Sequence, residues 1–243
     1  RERFVEFYKK WYTPKRMAVV AVGEIKVEEV EALVEKYFAD FVGQGGDSPD
    51  PKWGAIPQRG VIAHYHSDAE ASETQVSLER SRPADFGPDS QARREKGLRI
   101  HLVSMILARR FDVISKEENS PIVTGSYRHE DLWDLGIAEY SSVDATCKPE
   151  NWAAALGVVE KELRRALQFG FTKAEMTEAK ANLLAAVENN AKSADTRKSQ
   201  MLANSLVSRI SNRQVFSHPK DDLERVKPVL EAITAEQCQD EMK

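Results

Sequence analysis

Residues 151–190 read as two helices joined by a tight turn, and the rest of the chain must supply a surface for them to cover. Trp152, Ala155, Leu156, Val159, Leu163, Ala166 and Leu167 recur at steps of three and four. That spacing draws one apolar stripe along a helix. The stripe ends at Phe169-Gly170-Phe171-Thr172, with Gly170 where a helix C-terminus favours a left-handed residue lacking a Cβ. Thr172 and Glu175 then form a T-x-x-E capping box, which satisfies the first free amides of the next helix. Met176, Ala179, Leu183, Ala186 and Val187 share one face of that second helix. A sheet is the expected surface beneath the pair.

The chain before it supplies strand candidates. Residues 1–13 are helical, with Phe4, Phe7, Tyr8 and Trp11 on one side, and Pro14 ends the helix. Residues 17–22, Met-Ala-Val-Val-Ala-Val before Gly23, form an apolar run whose length and β-branched content predict a strand buried on both faces. Residues 27–41 are an amphipathic helix with Val30, Leu33, Val34, Tyr37, Phe38 and Phe41 inward. Helix, strand and helix are too little to fold alone and are expected to complete a domain whose earlier strands lie upstream. The first residue stands inside a helix with no N-cap before it. At the other end a second capping box, Thr234 to Gln237, opens a helix of little more than two turns. The chain therefore reads as an excised segment. Residues 43–58, rich in Gly, Pro and Asp, have a linker composition. The expected division is residues 1–44 as the end of a first domain, 45–58 as linker, and 59–243 as a second domain.

Within that second domain, residues 61–66 and 74–80 are strand candidates, and the alternation over 74–79 gives one buried and one wetter face. Residues 89–116 are helical, with Leu98, Leu102, Met105, Ile106 and Arg109 along one side and Ile100, Val103 and Leu107 widening it. Residues 121–129 and 135–146 are two strands joined by Glu130-Asp131-Leu132-Trp133-Asp134, with Ile137, Tyr140 and Val143 suited to a sheet under helices. Residues 194–210 are a further helix, and residues 223–233 a short one interrupted by Pro228. The fold class is α+β, with layered helices on one face of a mainly antiparallel sheet.

Charge narrows the partners. A net charge of -4 gives no electrostatic case for nucleic acid or an anionic membrane surface, and no apolar run approaches the roughly 20 residues that span a bilayer. Arg93, Arg94, Lys96 and Arg99 form a basic cluster that, lacking interleaved aromatics, reads as a solvated helix face. His64 and His66 share a face of a candidate strand, but spacing places no third ligand beside them. His101 has no carboxylate-flanked partner, and His129-Glu130-Asp131 reads as a solvated hairpin tip. Cys147 and Cys238 lie far apart, in no metal-type spacing, and read as unpaired or buried thiols. No H-x-x-E-H, H-E-x-x-H, phosphate-cradling glycine loop or nucleophile elbow occurs. On residues alone the segment has no catalytic, cofactor-binding or metal-binding residue.

Two passages carry a resemblance. Phe7-Tyr8-Lys9-Lys10-Trp11-Tyr12-Thr13-Pro14, followed by Met17 to Gly23, resembles the "FY…WY-x-P-x-x-M-x-(apolar)-V-G" passage of pitrilysin/insulysin-type zinc peptidases. Gly170-Phe171-Thr172-Lys173-Ala174-Glu175-Met176-Thr177-Glu178-Ala179-Lys180 resembles that family's "G-(F/I)-T-x-x-E-(L/M)-x-x-A-K". In order and at this separation they cover essentially the whole chain, and the bacterial members are the most similar. The resemblance implies the metallopeptidase-type α/β roll, also found in mitochondrial processing peptidase domains, with two domains per half-enzyme and two halves closing into a chamber. It implies a zinc endopeptidase acting on peptides or unfolded segments. Zinc would be held by an inverted H-x-x-E-H and a downstream Glu, with the motif's Glu activating a metal-bound water. Those residues belong upstream of Arg1 and none is carried over.

The substrate-clamping half of such enzymes often carries "R-x-K-E-x-x-x-Y"; here Ser115 stands at the Arg position and Ile122 at the Tyr position. This departure points to the second domain of the zinc-bearing half, a chamber wall making interdomain contacts. Its partners would be the remaining domains of the same protein or a partner subunit, and the similarity to bacterial members suggests the periplasm or envelope. Two other readings stand beside it. One is a domain of a catalytically inactive family member, acting as scaffold or partner in a processing complex. The other is a free-standing binding module with an exposed sheet.

Overall fold

The structure, a computed structural model, describes residues 1–243 except 42–48, 50–53, 58, 69, 85–86 and 132–137. In chain order the described helices are α1 (Glu2–Trp11), α2 (Val27–Phe38), α3 (Gln91–Ser115), α4 (Trp152–Phe169), α5 (Lys173–Lys192), α6 (Ser199–Ser211), α7 (Pro219–Ala232) and α8 (Ala235–Met242). The strands are β1 (Thr74–Pro83), β2 (Thr124–Asp131) and β3 (Ala138–Cys147). Two units emerge: Arg1–Lys52 with Asp195–Phe216, and Trp53–Ala194 with Ser217–Lys243.

The second unit is layered. Its three strands run β1-β3-β2, with β3 antiparallel to both neighbours. α3 lies over β2, and α4 over β1 and β3. The register sets Val76 opposite Ala145 and Tyr127 opposite Val143, so their side chains join one apolar face. Leu102, Val103, Ile106, Leu107 and Phe111 press onto it from α3, and Ala155, Val159 and Ala166 from α4. Burying one such large side chain is worth about 1.5–3 kcal/mol. α5 packs on α7 and α3, and α8 on α3, closing the helical layer.

Local chemistry sets the element ends. Both expected capping boxes form: Thr172 accepts from the Glu175 amide, and Thr234 from the Gln237 amide. Gly170 adopts φ 65 and ψ -139, a region that only glycine enters without strain, and so turns α4 into α5. α7 runs unbroken through Pro228, starting at Pro219 with His218 as its N-cap. Pro228 is exposed and costs the helix one backbone hydrogen bond. The helix expected over 194–210 is divided, a 3-10 turn at Ala194–Thr196 preceding α6.

Residues 17–22 and 61–66 depart from expectation. Neither forms a ladder, and residues 17–22, read as a strand buried on both faces, leave Met17 and Val19 exposed. A strand is defined by its neighbour, and no described residue pairs with either segment. The helices of the first unit bury no residue: α1, α2 and α6 each leave their apolar stripes open, including Phe4, Leu33, Tyr37 and Met201. Aromatic contacts order α1 locally, with Tyr8 stacked on Tyr12 at 4.4 Å and the Arg16 guanidinium 4.9 Å from the Trp11 ring. Most of the expected linker, and the strand start at 135–137, fall outside the described residues.

Candidate functional site

Toward the β2–β3 hairpin the helix-facing layer of the sheet changes from apolar to charged. Alternation carries Tyr127 to His129 and Asp131 on β2, and Val143 to Ser141 and Glu139 on β3. Leu78 gives way to Arg80 and Arg82 on β1. The first half of α3 covers this layer. Arg93 reaches Asp131 at 3.2 Å, and Lys96 pairs with Glu139, which also takes Arg82 at 3.2 Å. Arg94 holds Asp89, and Arg99 holds Glu241 on α8 at 2.5 Å. The basic cluster expected to be a solvated face is therefore a row of ion pairs. Its carboxylate partners come mostly from distant segments, which helix periodicity cannot register.

His129 is the second correction. It is not at a solvated tip: its side chain is 4% exposed, with Nδ1 2.9 Å from Ser141 Oγ. Nε2 is buried without a hydrogen-bond partner and lies 3.6 Å from Asp131 Oδ1. His129 and Arg93 hold the Asp131 carboxyl below its usual range against the opposing effect of burial. Ser141, His129 and Asp131 thus stand in a row of hydroxyl, imidazole and carboxylate. The imidazole lies under α3, however, where no substrate could meet a general base.

His129, Asp131 and Glu139 also form the one metal-type trio among the described residues, their ligand atoms within 4.8 Å of one another. The donor set does not fit zinc. Lys96 and Arg82 already neutralise Glu139 and Arg93 neutralises Asp131, so a divalent ion would enter against three cations. His64 and His66 are exposed and bring no third ligand among the described residues. His101 lies on an exposed side of α3.

A second polar group lies at the α4–α5 turn. Arg110, which the helix stripe of α3 did not include, is 7% exposed and donates to Glu175 Oε1 at 2.6 Å and to the Gly170 carbonyl at 3.0 Å. Its ring neighbour is Phe171, 5.4 Å away, and Glu162 stands 3.9 Å off. Burial pushes Glu175 up, but hydrogen bonds from Arg110 and from the Thr172 amide and hydroxyl outweigh it, leaving the carboxyl at about 2. This cluster ties three helices and holds no nucleophile.

A cavity of about 280 Å³ among the described residues is lined by residues from Asn119 to Val123 with Lys148 and Asn151. Its hydroxyl, Ser120, is engaged with the Ile122 backbone. Ser115 bonds the Asp112 carbonyl, and Ile122 is buried in the core. Both cysteines are free and buried, and burial pushes the Cys238 thiol up to about 11.

A helical layer packed over a three-stranded antiparallel sheet and stitched to it by ion pairs defines an α+β layer domain. The profile described as "Peptidase M16 inactive domain" matches residues 1–183, and the chain belongs to that family as a non-catalytic segment. It is 22% identical over 233 residues to "Probable zinc protease PqqL" of Escherichia coli, covering 95% of this chain and 24% of that protein. It is 28% identical over 184 residues to "Uncharacterized zinc protease Rv2782c" of Mycobacterium tuberculosis, covering 75% and 40%. Among solved structures it resembles the first half of the periplasmic protease PqqL of E. coli, with a TM-score of 0.77 at 18% identity over 99% of this chain and 51% of that one. A predicted insulinase family protease from Yersinia pestis gives 0.76 at 17% identity over 100% and 52%. The chain thus spans 24% and 40% of the length of these two curated relatives, and the structural neighbours it matches are parts of larger proteases. Among the described residues no helix is long and apolar enough to cross a membrane.

Proposed function

We propose that this chain is the non-catalytic second domain, with the tail of the preceding metal-bearing domain, of a zinc metalloendopeptidase that hydrolyses peptides or unfolded polypeptide. The observation that carries this reading is the match of the inactive-domain profile across residues 1–183, which spans α1 and α2 as well as β1 to α4 and part of α5. The relatives' names, zinc proteases, give the chemistry of the whole. Within the chain, residues 1–44 would be the closing piece of the metal domain, 45–58 the linker and 59–243 the wall domain. The open apolar stripes of α1 and α2 and the unpaired residues 17–22 agree with a piece that completes a core made elsewhere. Zinc would be bound by the parent's upstream residues and would polarise a water for attack on the peptide carbonyl. The contribution of this chain is shape and contacts. The periplasm is the proposed compartment, by likeness to PqqL.

The test compares the parent polypeptide with residues 1–243. The parent is expected to bind one zinc per chain and to cleave a denatured, fluorescein-labelled casein. Residues 1–243 are expected to do neither. An upstream reading frame without H-x-x-E-H, or zinc held stoichiometrically by residues 1–243, overturns the reading.

A further inference from the structure

Residues 61–66, Val-Ile-Ala-His-Tyr-His, have the chemistry of a half-buried strand and the surroundings of none. The odd positions, Val61, Ala63 and Tyr65, form one wholly apolar face, and β-branched and aromatic residues favour a pleated, packed setting. Yet every residue from Arg59 to Asp68 is exposed, Val61 at 106% and Tyr65 at 87%, and the sheet of this unit, β1-β3-β2, does not include them. A lone strand cannot offset its own ordering entropy; it needs a sheet edge for its amides and a covered face for its side chains. The wall domain's own apolar layer is already filled by α3 and α4.

The length of the relatives leaves room for such an edge outside the matched part. This chain covers 51% of the first half of PqqL, so nearly as much polypeptide again lies outside the matched part of that half. We infer that residues 61–66 are a strand lent by this domain to a sheet built from residues outside 1–243 of the same polypeptide. They join through backbone hydrogen bonds at that sheet's edge, with Val61, Ala63 and Tyr65 turned into its core. The lent strand then works as a latch: the two domains cannot separate without breaking a ladder. The inference rests on the reading that this chain is part of a longer peptidase.

Amide hydrogen exchange, followed by mass spectrometry on the parent polypeptide and on residues 1–243, tests it. The amides of residues 61–66 are expected to exchange at unprotected rates in residues 1–243 and at least about 100-fold more slowly in the parent. Ala63→Pro removes a donor from the ladder and is expected to abolish the parent's protection while leaving the melting of residues 1–243 unchanged. Equal exchange in both overturns the inference. So does protection in residues 1–243 that grows with concentration, since the occupant would then be a second copy, or protection there at every concentration, since the strand would then have folded onto its own unit. Casein cleavage by the same parent sample separates the two claims. A parent that cleaves casein with residues 61–66 unprotected sinks the lent strand alone. A parent that does not cleave sinks the peptidase reading, and the exchange data are still read for the strand.

Discussion

A β-carbon on Gly125 would sit 2.6 Å from the Phe111 ring, so α3 approaches β2 closely only because this position carries no side chain. Gly125→Ala is expected to destabilise the chain by about 1–3 kcal/mol, read as a lower urea midpoint. The cause was hidden in the sequence: residue 125 reads as an ordinary strand glycine until Phe111, on another element, is seen against it. Glu175 makes a pH-dependent contribution. Its folded carboxyl titrates at about 2 against an ordinary 4.5, so its stabilisation is full above pH 4.5 and is lost as pH falls toward 2. Glu175→Gln is expected to flatten the fall in melting temperature over that window while lowering the melting temperature at neutral pH. The buried thiols are expected to resist iodoacetamide at pH 8 until the chain is unfolded, with Cys238, at about 11, the slower because almost no thiolate forms.

At the scale of elements, the charged layer beneath α3 behaves unlike a surface ion pair. Glu139, 16% exposed, answers both Lys96 and Arg82, and Glu139→Gln is expected to cost about 1–3 kcal/mol because two part-buried cations lose their partner. Lys116→Met, which breaks an exposed pair with Asp112 on the same helix, is expected to change stability by less than about 0.5 kcal/mol. Chemical denaturation of both variants at one salt concentration checks the contrast. The helices and their caps were legible because their signals are local: Thr172 with Glu175, Gly170 between two stripes, Thr234 with Gln237. The charged layer was not, because Arg93 and Asp131, or Arg99 and Glu241, meet only after the hairpin and α8 have packed on α3. His129 was misplaced for the same reason, its strand running past the point at which its polar sequence suggested a turn.

Taken as a whole, the described chain holds its apolar burial in the second unit, and the first exposes what it would otherwise bury. Leu107→Ala, at a site with no exposure, is expected to cost about 2–5 kcal/mol. Leu33→Ala, on the open stripe of α2, is expected to leave the melting temperature within a degree. The α+β class was legible from the order of elements. The state of residues 17–22 and 61–66 was not, because apolar content signals an appetite for pairing without naming the partner. The clasp around Arg110 bears on inheritance as well. One guanidinium answers Glu175, the Gly170 carbonyl and, at longer range, Glu162, whose own side chain is 4% exposed. Losing the arginine alone would take from Glu175 its cation at 2.6 Å and leave Glu162 with Arg165 alone, at 3.4 Å. Descendants that swap position 110 for a hydrocarbon are therefore expected to change position 175 in step, leaving a co-varying pair that an alignment of this family can look for.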